Sequence, residues 1–288
     1  MLQTVLKIRN LKAYCQLARI NQPGGFFLLL WPTLWALWLS DMHAPPLKTL
    51  FVFILGVFCM RSAGCVVNDI IDSGIDRGVL RTKSRPLPSG KVSVQEAQIL
   101  FIGLLFLALC LVLTLNMITI CLSLCGLVLT CTYPFMKRYT YVPQVVLGAS
   151  FSWGIPMAWS AVSENMPINC WLLFLANLLW VVSYDTEYSM ADRADDLKIG
   201  VKSTAILFNS YDKIIISILQ LAVWIVLMLV GFMMGLHLIF YAFMLLAFIL
   251  FLYQQVLIAG RQAELCLKAF LHNNLVGFVV FIGIALGV

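Results

Sequence analysis

The chain has 288 residues, of which 62% are hydrophobic and only 11% charged, far from the balance of an average soluble domain. That composition excludes an ordinary soluble enzyme and reads as one integral-membrane domain over residues 1–288. The formal charge of +6 comes from 19 basic and 13 acidic residues; the basic ones sit in a few short loops, which indicates membrane topology and not nucleic-acid binding.

Residues 1–19 carry Lys7, Arg9, Lys12 and Arg19 without an apolar core or cleavage site, so neither a secretory signal nor a clear transit peptide is expected. The first predicted span, 24–39, contains Leu30-Trp31-Pro32-Thr33-Leu34-Trp35. The second, 50–67, holds Arg61 inside an apolar run beside Ser62 and Gly64. A buried arginine needs a counter-charge, here a substrate carboxylate or a neighbouring acid.

The second span ends in Asn68-Asp69-Ile70-Ile71-Asp72-Ser73-Gly74-Ile75-Asp76. Asn68, Asp72 and Asp76 recur every four residues, so a continuing helix stacks them on one face. Arg81, Lys83, Arg85 and Lys91 follow and suit phosphate oxygens. Basic loops also arise from topology alone, so it is their position beside the acids that counts. Spans at 99–115 and 117–133 come next, then Tyr133-Pro134 and the pair Lys137-Arg138, which reads equally as a topogenic signal or a diphosphate contact.

Spans at 142–162 and 168–182 lead to a second acidic stretch, Asp185 to Asp196, followed by Lys198-Ile199-Gly200-Val201-Lys202-Ser203-Thr204. Asn68 to Asp192 and Asp72 to Asp196 share one offset, 124 (192 − 68 = 196 − 72). The simplest origin is a four-helix unit used twice, with the site at the interface between repeats. Spans at 214–234, 236–252 and 275–288 complete nine, each near the ~20 residues a crossing needs or somewhat shorter. Basic residues fall in every second loop, which puts the N-terminus and both acidic stretches in the cytoplasm.

The acids supply oxygen ligands only, with no histidine or cysteine among them, a set that favours Mg²⁺ sharing its shell with substrate phosphates over zinc. Solvated helix-end charges are the plainer reading, but they leave the spacing and the duplication unexplained. His43, His237 and His272 are scattered, and the nine cysteines, without CxxC spacing, read as reduced structural thiols. The aromatics Phe26-Phe27, Trp31 to Trp38 and Tyr133 to Phe135 read first as packing and interface residues, with a cation-lining role as the sharper alternative.

Asn68-Asp-x-x-Asp72-x-x-x-Asp76 followed by Arg81-Thr-x-x-Arg85-Pro-Leu resembles the first signature of the UbiA-type intramembrane prenyltransferases. Asp185-Thr-x-Tyr188-x-Met-x-Asp192-Arg-x-x-Asp196 with Gly200-Val-Lys-Ser-Thr resembles their second signature in its 4-hydroxybenzoate-specific form, and Tyr133-Pro-Phe-Met-Lys137-Arg138 is similar to a further family stretch. The resemblance covers nearly the whole chain. It implies nine helices around a central cavity capped by cytoplasmic motif loops, 68–92 and 185–204, in a bacterial inner membrane. It implies transfer of a polyprenyl group from its diphosphate to 4-hydroxybenzoate in ubiquinone synthesis, with Mg²⁺ held by Asn68, Asp72, Asp192 and Asp196 and with Asp76 close by. Asp72, Asp192 and Asp196 are then the catalytic acids, Arg138, Lys202, Arg81 and Lys83 face the diphosphate, and Arg19 and Arg61 face the aromatic carboxylate. Where the family usually reads Arg-x-Asp-Lys-Pro-Ile-Gly, this chain has Arg19-Ile20-Asn21-Gln22-Pro23-Gly24-Gly25, lacking one acid and one base. Two other readings are a different aromatic acceptor, such as a naphthoate, and a cation-coupled anion transporter; the latter should keep its acids at the bilayer midplane.

Overall fold

The computed structural model describes residues 7–72 and 84–288, and among them every regular element is helical. A 3-10 turn leads into the short α1 (Leu11–Leu17), followed by α2 (Gly24–Leu39), α3 (Leu47–Asp72), α4 (Val94–Val112), α5 (Met117–Tyr139), α6 (Pro143–Ser152) and α7 (Gly154–Ser163). Then come α8 (Ile168–Ile199), the short α9 (Thr204–Phe208), α10 (Asp212–Met234), α11 (Leu238–Ile258) and α12 (Ala263–Gly287). Among the described residues eight helical stretches are long and apolar enough to cross a membrane, and α2, at 16 residues, is an apolar helix below that length. The protein is an integral membrane protein, with exposed Ile102, Phe106 and Leu109 on α4 and Ile214, Ile218 and Ile225 on α10. In water such faces would be costly, whereas lipid solvates them.

Several boundaries differ from those read in the sequence, each for a physical reason. The span at 142–162 is two helices broken at Trp153, because Pro156 cannot donate to the preceding turn. The helix at 117–133 runs on through Pro134 to Tyr139, so Lys137 and Arg138 are helical and not in a turn. The last helix starts at Ala263 instead of 275. Its first turns look too polar for a membrane, but Asn273 is buried, where its amide accepts from Trp180 Nε1 at 2.7 Å and donates to Glu187 Oε2 at 3.0 Å. Gln220 and Gln254 extend this network at 2.8 Å between α10 and α11, giving the polar atoms the partners that hydrocarbon cannot.

Local chemistry sets the other ends. Ser93 and Glu96 form a reciprocal capping box at the start of α4, satisfying two amides that would otherwise face the membrane boundary unpaired. Gly200, at φ +73°, closes α8 in the left-handed conformation that other residues resist. In the main core Trp35 stacks on Trp180 at 5.3 Å and donates to Gly277 O at 3.1 Å. A side chain at Gly277 would meet Trp180 Cη2 at 2.8 Å, so glycine is what permits α12 to close on α2 and α8. All nine cysteines are free.

α3 packs chiefly against α4, and α8 chiefly against α10 and α6. The two acid-bearing helices thus belong to different packing units.

Candidate active site

α3 continues past residue 67 to Asp72, so Asn68 and Asp72 lie one turn apart on one face. Asp76, Arg81 and Lys83 fall outside the described residues. Asn68 accepts from Tyr133 Oη at 3.2 Å. Asp72 is 2% exposed, ion-paired with Lys137, and has Arg138 Nη2 at 3.9 Å. Arg138 also donates to Ile71 O at 2.8 Å, at the end of α3. Asp69, equally buried, points elsewhere and takes Arg19 at 3.0 Å and Arg85 at 3.2 Å. A charge buried at a membrane boundary must be matched, and each of these two acids has cationic neighbours supplied by other elements.

α8 runs unbroken to Ile199, so the second acidic stretch is helical throughout and not a loop. Asp185, Asp192 and Asp196 recur at helical spacing along one side, and the carboxylates of Asp192 and Asp196 act electrostatically on Asp185. Arg193 turns away to the fully buried Asp212, which also receives a forked contact from Arg261 at 2.8–3.1 Å. The Asp212 carboxylate raises the pKa of Arg261, which stays cationic. This clamp ties the acid-bearing end of α8 to α10 and to the turn before α12. Asp212→Ala should therefore cost about 2–3 kcal/mol, less than a fully buried triad because Arg261 is a third exposed. An unchanged thermal unfolding midpoint in detergent would rule the clamp out.

After Gly200 the chain folds back onto α5 and α6. Lys202 N donates to Lys137 O at 3.1 Å, and Lys202 Nζ reaches Tyr139 O at 3.2 Å and sits 5.2 Å over the Tyr141 ring. Gln144 secures the return by donating to Ser189 Oγ at 2.9 Å and accepting from Thr204 N at 3.2 Å. Lys202 thereby joins Lys137 and Arg138 at the end of the bundle that carries Asp72 and Asp196. Lys198 instead pairs with Asp195 at 3.0 Å on the surface.

Beside Asp69 opens a cleft of about 270 Å³, lined among others by Arg19, Arg61, Pro23, Phe26, Phe27 and Phe58. Arg61 contacts Cys65 one turn along α3, and its buried Nε has no hydrogen-bond partner. A Cβ at Gly25 would lie 2.8 Å from that Nε, so the glycine at this position is what admits the guanidinium. Arg19, itself at φ +55°, also lines the cleft. Burial opposes its charge, but Cys65 and Asp69 outweigh burial and keep its pKa above the ordinary arginine range. Tyr133, which donates to Asn68 on α3, also lies in the field of Asp185 on α8 and of Arg61 and Arg19. Tyr184, buried with its hydroxyl unpartnered, feels Asp185 and Arg61 as well.

The sequence offers Lys137-Arg138 as a topogenic pair or a diphosphate contact; within that pair it is Lys137 that meets Asp72 directly. Among the described residues no three His, Cys, Asp or Glu side chains converge enough to hold a metal. Asn68, Asp72, Asp192 and Asp196 offer oxygen donors only, the ligand chemistry that a hard cation takes.

Residues 29–281 match the profile of the UbiA prenyltransferase family. The chain is 59% identical over 273 residues to 4-hydroxybenzoate octaprenyltransferase of Yersinia enterocolitica, covering 95% of each, and 57% identical over 277 residues to the protein of that name from Escherichia fergusonii, covering 96% of each. Its fold resembles the apo structure of a UbiA homologue from Aeropyrum pernix, with a TM-score of 0.80, 26% identity, and coverage of 90% of this chain and 96% of that one. It also resembles a UbiA homologue from Archaeoglobus fulgidus bound to GPP and Mg²⁺, with a TM-score of 0.71, 19% identity, and coverage of 95% and 99%.

Proposed function

Because the chain belongs to the UbiA prenyltransferase family, we propose that it transfers a polyprenyl group from polyprenyl diphosphate to C3 of 4-hydroxybenzoate, ortho to the hydroxyl. The products are 3-polyprenyl-4-hydroxybenzoate and diphosphate, and the reaction serves ubiquinone synthesis. The observation that carries this reading is the cleft with two guanidinium groups and three phenylalanines, set beside carboxylates and cations at the end of the helix bundle. Relatives at 57–59% identity bearing the name 4-hydroxybenzoate octaprenyltransferase support the acceptor.

Each part of the site has a chemical task. Arg61, with Nε unpartnered, and Arg19 bind the acceptor carboxylate, while Phe26, Phe27 and Phe58 enclose its ring. Asn68, Asp72, Asp192 and Asp196 would hold Mg²⁺, with Asp76, outside the described residues, as a further candidate from its spacing. When bound, the metal neutralises charge developing on the departing diphosphate. Arg138 and Lys202 take diphosphate oxygens, joined by Lys137, Arg81 and Lys83; the Lys137 contact with Asp72 exchanges for substrate and metal. Departure of diphosphate leaves an allylic cation that water must not reach, and the phenol ring attacks it. Loss of the ring proton to Asp192 or to diphosphate restores aromaticity and balances the step.

The architecture that serves this reading has nine crossings around a central cavity, with α2 as the ninth. Sixteen residues rise about 24 Å, short of the hydrocarbon core, and local thinning of the bilayer can accommodate the difference. Two pseudo-repeats plus a final helix make up the domain. The offset of 124 carries α3 (47–72) to 171–196 within α8 and α4 (94–112) to 218–236, largely over α10. The N-terminus and the motif ends face the cytoplasm, following the basic loops.

The test is an assay of membranes containing the protein with polyprenyl diphosphate, Mg²⁺ and either 4-hydroxybenzoate or a hydroxynaphthoate. The prenylated benzoate should form by mass spectrometry and the naphthoate product should not. No product from 4-hydroxybenzoate would sink the proposal.

A further inference from the structure

A second cavity, of about 390 Å³, lies between α1 and Lys91, just before the start of α4. It is lined by Arg9, Asn10, Lys12, Ala13, Gln16 and Lys91. Its three cations are exposed, and among the described residues none of them forms an ion pair. An acid is close by, but it is otherwise engaged. Glu96 is 5% exposed, caps α4 through Ser93 N at 2.8 Å, and accepts from Tyr14 Oη at 2.7 Å and Asn10 Nδ2 at 3.0 Å. Those bonds, with Tyr14, Leu17 and Ala18 packed against Val66, Leu87, Val92 and Ala97, hold α1 rigidly beside Lys91. The result, among the described residues, is a cavity with net positive charge: three cations against the one carboxylate of Glu96.

Its position selects the ligand. Lys91 lies three residues before Val94, where a membrane-spanning stretch begins, so the cavity sits at the membrane boundary. Leu11, 62% exposed, and Val94, 46% exposed, flank the cations with apolar surface. Cations beside exposed apolar side chains at that depth match a phosphate attached to acyl chains and do not match a soluble anion. We propose that this cavity binds the headgroup of an anionic glycerophospholipid, with Arg9, Lys12 and Lys91 on the phosphate and Leu11 and Val94 against the first methylenes of the tails. α1 leads through Ala18 directly into Arg19 of the cleft, so the bound headgroup would also steady that arginine.

The test uses the full chain, delipidated in detergent and offered equal phosphatidylglycerol and phosphatidylcholine with matched tails, with retained lipid read by native mass spectrometry. Wild type should keep phosphatidylglycerol preferentially. R9Q/K12Q/K91Q should lose that preference by about 100-fold, three cations at roughly a kcal/mol each, whereas K213Q/K268Q should keep it. The three single variants, each expected to show part of the loss, serve if the triple variant does not fold. No preference in wild type, equal loss in the control variant, or displacement of the lipid by inorganic diphosphate would overturn the proposal. None of these readouts depends on prenyl transfer.

Discussion

Asp72→Ala should reduce turnover by about 10²–10³-fold or more, the scale on which one preorganised electrostatic group contributes to a transition state. Asp72 is 2% exposed, on the last turn of α3. Its carboxylate is therefore fixed by packing before any ligand arrives. Removing it leaves Lys137 without its partner, yet Lys137 is 25% exposed and can turn to water, so folding should suffer far less than catalysis. Asp72→Asn is the sharper variant, since it keeps the shape and removes the charge. Asp196→Ala on α8 should behave in the same way, and raising Mg²⁺ should restore part of the rate if affinity for the cation is what was lost. Initial rates as a function of Mg²⁺ and donor concentration measure both effects. Wild-type rates with unaltered Mg²⁺ dependence in Asp72→Asn would refute the assignment of this end of the bundle as the ionisation site.

Arg61→Leu should lower kcat/KM for 4-hydroxybenzoate by about 10²-fold while leaving the KM of the polyprenyl donor near its wild-type value. The magnitude follows from leaving a desolvated carboxylate unpaired, about 3 kcal/mol. Among the described residues Arg61 Nε has no hydrogen-bond partner, which leaves that donor for an acceptor carboxylate in the proposed reading. Arg61→Lys should recover only part of the loss, because an ammonium cannot present the planar fork. An acceptor with a carboxamide in place of the carboxylate gives a second reading. Wild type should discriminate strongly against it, and Arg61→Leu should not. Equal KM values for the acid in wild type and Arg61→Leu would remove Arg61 from acceptor binding and shift that role to Arg19.

Class and most helices were legible in the sequence because hydropathy is a local property that membrane-spanning stretches carry residue by residue. The helix ends were less legible. Asn273 and Glu187 look like interruptions in a hydropathy profile, but each is satisfied by a partner 86 residues away in the chain. The acidic stretches read as loops because charged residues usually leave the membrane, whereas α3 and α8 carry theirs as helix to Asp72 and Ile199.

For the site, the sequence by itself determined which donors are available: oxygen ligands four residues apart, cations following each acidic stretch, and an arginine stranded in an apolar run. Tertiary structure alone decided how those groups are paired. Asp72 meets Lys137, Asp69 meets Arg19 and Arg85, and Arg193, next to Asp192 in the chain, turns instead to Asp212. The physical reason is that helical periodicity fixes which side chains share a face, while the partner of a buried charge depends on which other helix ends are packed within a few ångströms of it.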